Sequence, residues 1–195
     1  MEITQQSTWC ITPLQTPNII RHCSKCNRKM PYYCSKKFRV NANQSRVDIW
    51  LIYKCTKCDK TLKLSIYKGI RPHDLPSGLF DKFIVNDEVL AWKYAFDRNF
   101  LRQHDCVIDY TNVGYIIDGA GAYDCCKPLA LLVSNPLCFD LKLCALLAMG
   151  LGLSVSKIKK LVKMGIISTS PEVDIVKHKI VDDINVFIIP EKDVK

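Results

Sequence analysis

The sequence predicts an α+β fold in three parts: a cysteine-bearing three-stranded antiparallel sheet, a central helix with strands, and a two-helix module with a small sheet. Three observations predict it. Two Cys-x-x-Cys pairs, Cys23/Cys26 and Cys55/Cys58, bracket segments that alternate apolar and polar residues. An aromatic stripe at helical spacing follows Asn86. Two short leucine-rich stretches then precede β-branched runs near the end of the chain. The expected boundaries are 1–75, 76–137 and 138–195.

Thr8 to Thr12 reads as a short strand, followed by the breakers Pro13 and Pro17. After the first Cys-x-x-Cys, Phe38 to Asn43 alternates as a half-buried strand does. Asn43-Gln44-Ser45 supplies a turn, and Val47 to Tyr53, β-branched and aromatic, is expected as the central strand. It leads into the second pair. Leu62, Leu64 and Ile66 alternate with Lys63 and Ser65 and predict a third strand. Arg71 to Gly78, with two prolines, reads as a linker.

Asn86-Asp87-Glu88 opens a helix with a capping side chain and acids in its first turn. It is expected to reach about His104, burying Val89, Trp92, Phe96 and Phe100 on one face. Val107 to Ile117 has strand character, ended by Gly119-Ala120-Gly121. Ser134-Asn135-Pro136 is a turn. Phe139 to Met149 reads as a helix with Leu143, Leu146 and Leu147 on a common face, broken by Gly150 and Gly152. Ser154 caps a second helix that ends before Gly165. Ile166 to Ser168, Val173 to Val176 and Ile184 to Ile189 are expected as strands.

Two Cys-x-x-Cys turns let four thiolates converge on one ion, and the 28 residues between Cys26 and Cys55 give room for a hairpin that brings the turns together. The metal ligands are therefore Cys23, Cys26, Cys55 and Cys58, and the cofactor is a structural Zn²⁺; iron fits the same donor set. Four protein ligands leave no open coordination position, so the ion is structural rather than catalytic. Cys34 lies between the pairs as an alternative ligand, and His22 adjoins the first pair as a solvated side chain. Cys10, Cys106, Cys138 and Cys144 stand among apolar neighbours as small hydrophobes. Cys125 and Cys126 match no thiolate-activating pattern.

Charge is uneven. Residues 1–75 hold fourteen Lys or Arg against four Asp or Glu, residues 76–138 five against eight, and residues 139–195 nine against seven. The cysteine-bearing third therefore favours a polyanionic partner, even after a tetrathiolate zinc takes about two charges from it. No stretch of the sequence is apolar enough for a spanning helix, and the N-terminus does not read as a signal peptide. The expectation is a cytoplasmic chain with reduced thiols and no membrane role.

The segment FRVNANQSRVDIWLIYKCTKC, residues 38–58, resembles the core of a bacterial family described as domain of unknown function 1062. The preceding Cys-x-x-Cys and the helix around Tyr94-Ala95-Phe96-Asp97 share in the likeness, which runs over nearly the whole chain. Leu62 and Lys63 stand where that family usually has a Trp-Asn pair. The resemblance implies metal binding and brings no activity with it.

Residues 139–167 are similar to the RNA-binding module of small-ribosomal-subunit protein four. The pattern is met by Leu141, Lys142, Leu147, Ala148, Leu153, Ser154, Ser156, Leu161, Val162, Gly165 and Ile166. Val155 replaces the usual Arg, and Thr169 to Glu172 lacks the usual Asn-Gly turn. The resemblance implies structured RNA bound along the two helices.

The first functional expectation is binding of RNA or another polyanion. Lys142, Lys157, Lys159, Lys160 and Lys163 in the last module, and Lys36, Lys37, Arg39 and Arg46 on the ribbon, are the expected contacts, with Lys25, Arg28 and Lys29 also among the cations that surround the ribbon. Tyr32 and Tyr33 are offered for base stacking. The alternative is a protein-interaction scaffold with a purely structural zinc. An enzyme is not expected. Asp105, Asp109, Asp118, His73 and His104 have no spacing that fixes a reaction, no phosphate loop or nucleophile elbow is visible, and no small-molecule substrate is evident.

Overall fold

The computed structural model describes residues 5–121, 124 and 126–190. In chain order the elements are β1 (Gln5–Pro13), β2 (Asn18–Cys23), β3 (Arg28–Asn43), β4 (Arg46–Cys55), β5 (Thr61–Ile70), α1 (Leu79–Ile84), α2 (Glu88–Phe96), α3 (Arg98–Gln103), β6 (Val107–Asp109), β7 (Tyr115–Asp118), β8 (Leu129–Ser134), α4 (Leu143–Gly150), α5 (Val155–Lys163), β9 (Ile167–Ser170) and β10 (Ile184–Ile188). They form two units. One is Gln15–Val113; the other joins the chain up to Leu14 with the chain from Gly114 onward. These boundaries differ from the 1–75, 76–137 and 138–195 read from the sequence. The helices and β6 of the expected central part fall in the first unit, and β7 and β8 in the second.

The inserted unit is an α+β assembly on a five-stranded antiparallel sheet, ordered β5-β4-β3-β2-β6. The three ribbon strands expected from sequence are β3, β4 and β5. β4 explains the register. Val47, Ile49, Leu51, Tyr53 and Cys55 are all buried, so the alternation that fills the core also delivers Cys55 to the interior. Two residues are looped out of β3 between Cys34 and Lys37. Lys36 takes positive φ there, and the Phe38 N–H donates to Asn86 Oδ1 at 2.6 Å.

The supposed linker carries a short 3-10 turn at Pro72–Asp74 and then α1, whose Phe83 is buried. Phe83 meets Phe38 edge-on at 4.9 Å between ring centres; Tyr94 stands 6.3 Å from Phe38 and 5.1 Å from Phe100. α1 and α2 pack on β3, giving the ribbon a core of its own. The single helix expected to reach His104 is broken at Asp97. Its carboxylate accepts from the Asn99 and Phe100 N–H groups and so starts α3 as a new helix. Phe96 and Phe100 face the core, whereas Val89 is exposed.

The second unit has a mixed sheet, β7-β1-β8-β10-β9, with β1 parallel to β8 and the other pairs antiparallel. The first expected strand therefore serves this sheet and not the ribbon. β8 is an apolar strand that the sequence reading passed over, with Leu129, Leu131 and Val133 buried. The stretch Val107 to Ile117 is not one strand: β6 and β7 lie in different sheets. Val173 to Val176 is a turn in which the Asp174 side chain accepts from the Val176 and Lys177 N–H groups.

α4 starts at Leu143 rather than Phe139, since buried Asn135 holds the preceding segment. Its Nδ2 donates to the carbonyls of Phe139 and Ile180 at 2.8 and 2.7 Å, and its Oδ1 accepts from the Phe139 N–H. Leu143, Leu146 and Leu147 are buried together, and Ser154 caps α5 through the Lys157 N–H. Gly165, at φ 71°, closes α5.

Gly119 has φ 86°, and a Cβ there would stand 2.1 Å from the Thr8 carbonyl oxygen. Gly119→Ala is expected to lower stability by about 2 kcal/mol or more in urea unfolding. Gly121→Ala, in open space, is expected to stay within about 0.5 kcal/mol. Equal midpoints for the two variants would contradict this packing.

Candidate metal centre and basic surfaces

Each Cys-x-x-Cys occupies a tight turn between antiparallel strands. β2 ends at Cys23 and β3 begins at Arg28; β4 ends at Cys55 and β5 begins at Thr61. The residue after the second cysteine, Asn27 in one turn and Asp59 in the other, takes left-handed backbone at φ 52° and 56°. Asn and Asp tolerate that region better than most side chains. The second turn is closed by Asp59 N–H to Cys55 O at 2.9 Å and Cys55 N–H to Lys60 O at 3.0 Å.

These turns bring the four sulfurs of Cys23, Cys26, Cys55 and Cys58 within 4.8 Å of one another. Cys23 to Cys58 measures 3.6 Å and Cys26 to Cys55 4.0 Å. Zinc–sulfur bonds of ~2.3 Å in a tetrahedron place sulfurs ~3.8 Å apart, whereas a disulfide needs ~2.05 Å. The cluster therefore has the geometry of a structural zinc site. Cys23 and Cys55 are buried, and Cys26 and Cys58 are half-buried.

The protein alone does not ionise this cluster evenly. The Tyr32 hydroxyl donates toward the Cys23 sulfur and holds that thiol down to about 6, whereas burial and then the neighbouring sulfurs push Cys26 up to about 12. A divalent cation removes the conflict, because it stabilises four thiolates at once.

Tyr32 is 2% exposed and pairs across strands with Cys55, so it supports the centre and offers no stacking face. Tyr33 is 39% exposed, and its hydroxyl donates to Asp59 at 2.9 Å. Cys34 lies outside the cluster, buried opposite Tyr53, and burial raises its thiol to about 11. His22 is exposed. Cys106 and Cys144 are buried, Cys10 and Cys138 half-buried and Cys126 exposed. Cys125 lies outside the described residues.

The basic residues divide between the units. In the second, Lys142 precedes α4, and Lys159, Lys160 and Lys163 are exposed on α5, with Lys157 half-buried. In the first, Lys37, Arg39 and Arg46 are exposed. Lys36 is occupied: its ammonium pairs with Glu88 and lies 5.4 Å from the Trp92 ring centre. Arg46 donates to the Gly69 carbonyl at 2.6 Å. The sequence reading of the ribbon passed over Lys54, Lys57 and Lys60. Counting charges within the knuckles would have found them.

Cys55→Ser is expected to abolish stoichiometric metal in elemental analysis, and Cys34→Ser to leave it unchanged. Chelation is expected to destabilise the inserted unit by about 5 kcal/mol or more. Acid is expected to release the ion, since protons compete for the thiolates. A fully folded, metal-free wild type would contradict all three.

Residues 40–173 match a family described as "Protein of unknown function (DUF1062)". That span includes the second knuckle and stops short of the first. No curated protein and no solved structure matches the chain.

Proposed function

Since the chain belongs to the DUF1062 family, whose description carries no activity, we propose that it is a zinc-stabilised RNA-binding protein whose contact surface is led by α5. The observation that carries this reading is the division of α5 into two faces. Ile158 and Leu161 are buried, while Lys159, Lys160 and Lys163 are exposed and make no ion pair among the described residues. α5 holds no acidic residue to offset them. Phosphate contacts from such lysines supply affinity that falls with salt.

The arrangement around α5 supports the same reading. α4 and α5 are short, separated by Gly152 at φ 65°, and followed by the antiparallel pair β9 and β10. This is the layout implied by the likeness to the RNA-binding module of small-ribosomal-subunit protein four. Lys142, beside the start of α4, adds a further exposed cation.

The zinc belongs to the scaffold in this reading, because four cysteines fill its coordination positions. A reducing, cytoplasmic location belongs to this reading, because the four ligand thiols must stay reduced to hold a metal. Among the described residues no helix is long and apolar enough to cross a membrane.

A scaffold reading has its own observation. Ile84, Val85 and Val89, at the junction of α1 and α2, are 53%, 71% and 79% exposed, which suits a protein partner.

Fluorescence anisotropy with a labelled RNA hairpin separates the two. Lys159→Glu with Lys163→Glu is expected to weaken binding by about tenfold or more and to flatten its salt dependence. Unchanged affinity would remove the RNA reading. A co-purifying protein lost on Val85→Asp with Val89→Asp would favour the scaffold.

A further inference from the structure

Six cations crowd the two knuckles: Lys25, Arg28 and Lys29 on the first, and Lys54, Lys57 and Lys60 on the second. The same stretches, residues 23–30 and 54–60, hold a single acid, Asp59. That acid is already engaged. Lys54 Nζ lies 2.8 Å from its Oδ2, and the Tyr33 hydroxyl donates to its Oδ1. Lys60 donates to Ser24 Oγ and so links the second knuckle to the first. Lys25, Arg28, Lys29, Lys57 and Lys60 are all exposed.

The metal cluster arranges these charges. Lys25 and Lys57 hold the same place in their turns, each one residue before a ligand. Convergence of the four sulfurs within 4.8 Å therefore fixes both lysine backbones beside one centre, although they are far apart in sequence. The tetrathiolate zinc carries about two negative charges. The knuckles' cations outnumber these together with Asp59.

We propose that the knuckle end of the inserted unit is a metal-assembled surface for the phosphodiester backbone of a nucleic acid. The proposal rests on the reading of RNA as the partner and adds a second contact region to it, remote in sequence from α5. Chemistry favours phosphate over protein here. Apart from the ligand cysteines, the turns Ser24–Asn27 and Thr56–Lys60 present only Ser, Thr, Asn, Asp and Lys. A protein interface needs apolar or aromatic residues at its centre, which these turns lack. Lysines on short rigid turns suit a repeating anion, to which each gives one point charge. The half-exposed Tyr33 ring offers a face beside them for a base.

The test uses the full-length, zinc-loaded protein and a fluorescein-labelled RNA hairpin in anisotropy titrations over a range of salt. Lys25→Glu with Lys57→Glu is expected to weaken binding by about tenfold or more and to make the salt slope shallower by about two. Zinc content is expected to stay at the wild-type level. Lys25→Gln with Lys57→Gln is expected to give a smaller loss of the same sign, which keeps the test valid if charge reversal disturbs folding. If both knuckle variants bind like wild type while the α5 variant loses RNA, the knuckle surface is overturned and the α5 reading stands. If wild type binds no RNA, both fall. Binding of polyglutamate in place of RNA, lost in the same variants, would also overturn the proposal in favour of an acidic protein.

Discussion

Four sulfur atoms held within 4.8 Å constrain the inserted unit more tightly than any other feature. They fasten the β2–β3 turn to the β4–β5 turn, and so fix the knuckle end of three successive strand pairs. Bare thiolates at that spacing repel one another. The protein alone offers one easily ionised thiol, Cys23, against one strongly resistant one, Cys26. A cation that shares their charge lets all four ionise together in this setting. Tyr32 marks how closely core and cluster are joined: a buried aromatic that packs among the strands and also donates toward a ligand sulfur.

The metal is not the whole of that unit's stability. Ile49, Leu51, Tyr53 and Leu64 are buried from the sheet, and Phe83, Ala91, Ala95 and Leu101 from the helices. The bulge at Lys36 lets the sheet receive those helices. It exposes the Phe38 N–H to Asn86 and sets Lys36 against Glu88 and Trp92. The Lys36–Glu88 pair is open to solvent and adds little energy by itself. The rings of Phe38, Phe83 and Tyr94 do more, through buried aromatic area.

Much of this was legible in the sequence, for identifiable reasons. The ligands follow from donor type and spacing, which act locally. β3, β4 and β5 show in alternation, because one face of each meets a core. Ser154 and Gly165 mark α5 through backbone chemistry that depends on a few neighbours. What escaped depends on partners distant in the chain. β8 is buried along one face and half-buried along the other, so its apolar run carries no alternation to read. Thr8 to Thr12 was legible as a strand within the expected 1–75 part, but its partners, Leu132 to Ser134 and Ile116 to Asp118, lie more than a hundred residues on. Asp97 stood inside a convincing helical stripe, and only its side-chain caps reveal the break. Lys36 was legible as a charge but not as one committed to Glu88.

The placement of β1 also limits how the last module is to be understood. Residues from 138 onward contain α4, α5, β9 and β10, the two helices and small sheet of the last module. β10 pairs with β8, and β8 pairs with β1, so two strands of the supporting sheet lie before residue 138. Trp9 of β1 reaches the end of α4: a Cβ on Gly150 would meet its ring at 2.3 Å. The N-terminal strand thus packs against the end of α4, on which α5 in turn packs. Cutting at residue 138 would expose the edge of β10 and uncover the apolar side of α4. The α5 surface is therefore a property of the whole second unit, its N-terminal strand included, and not of the last third alone.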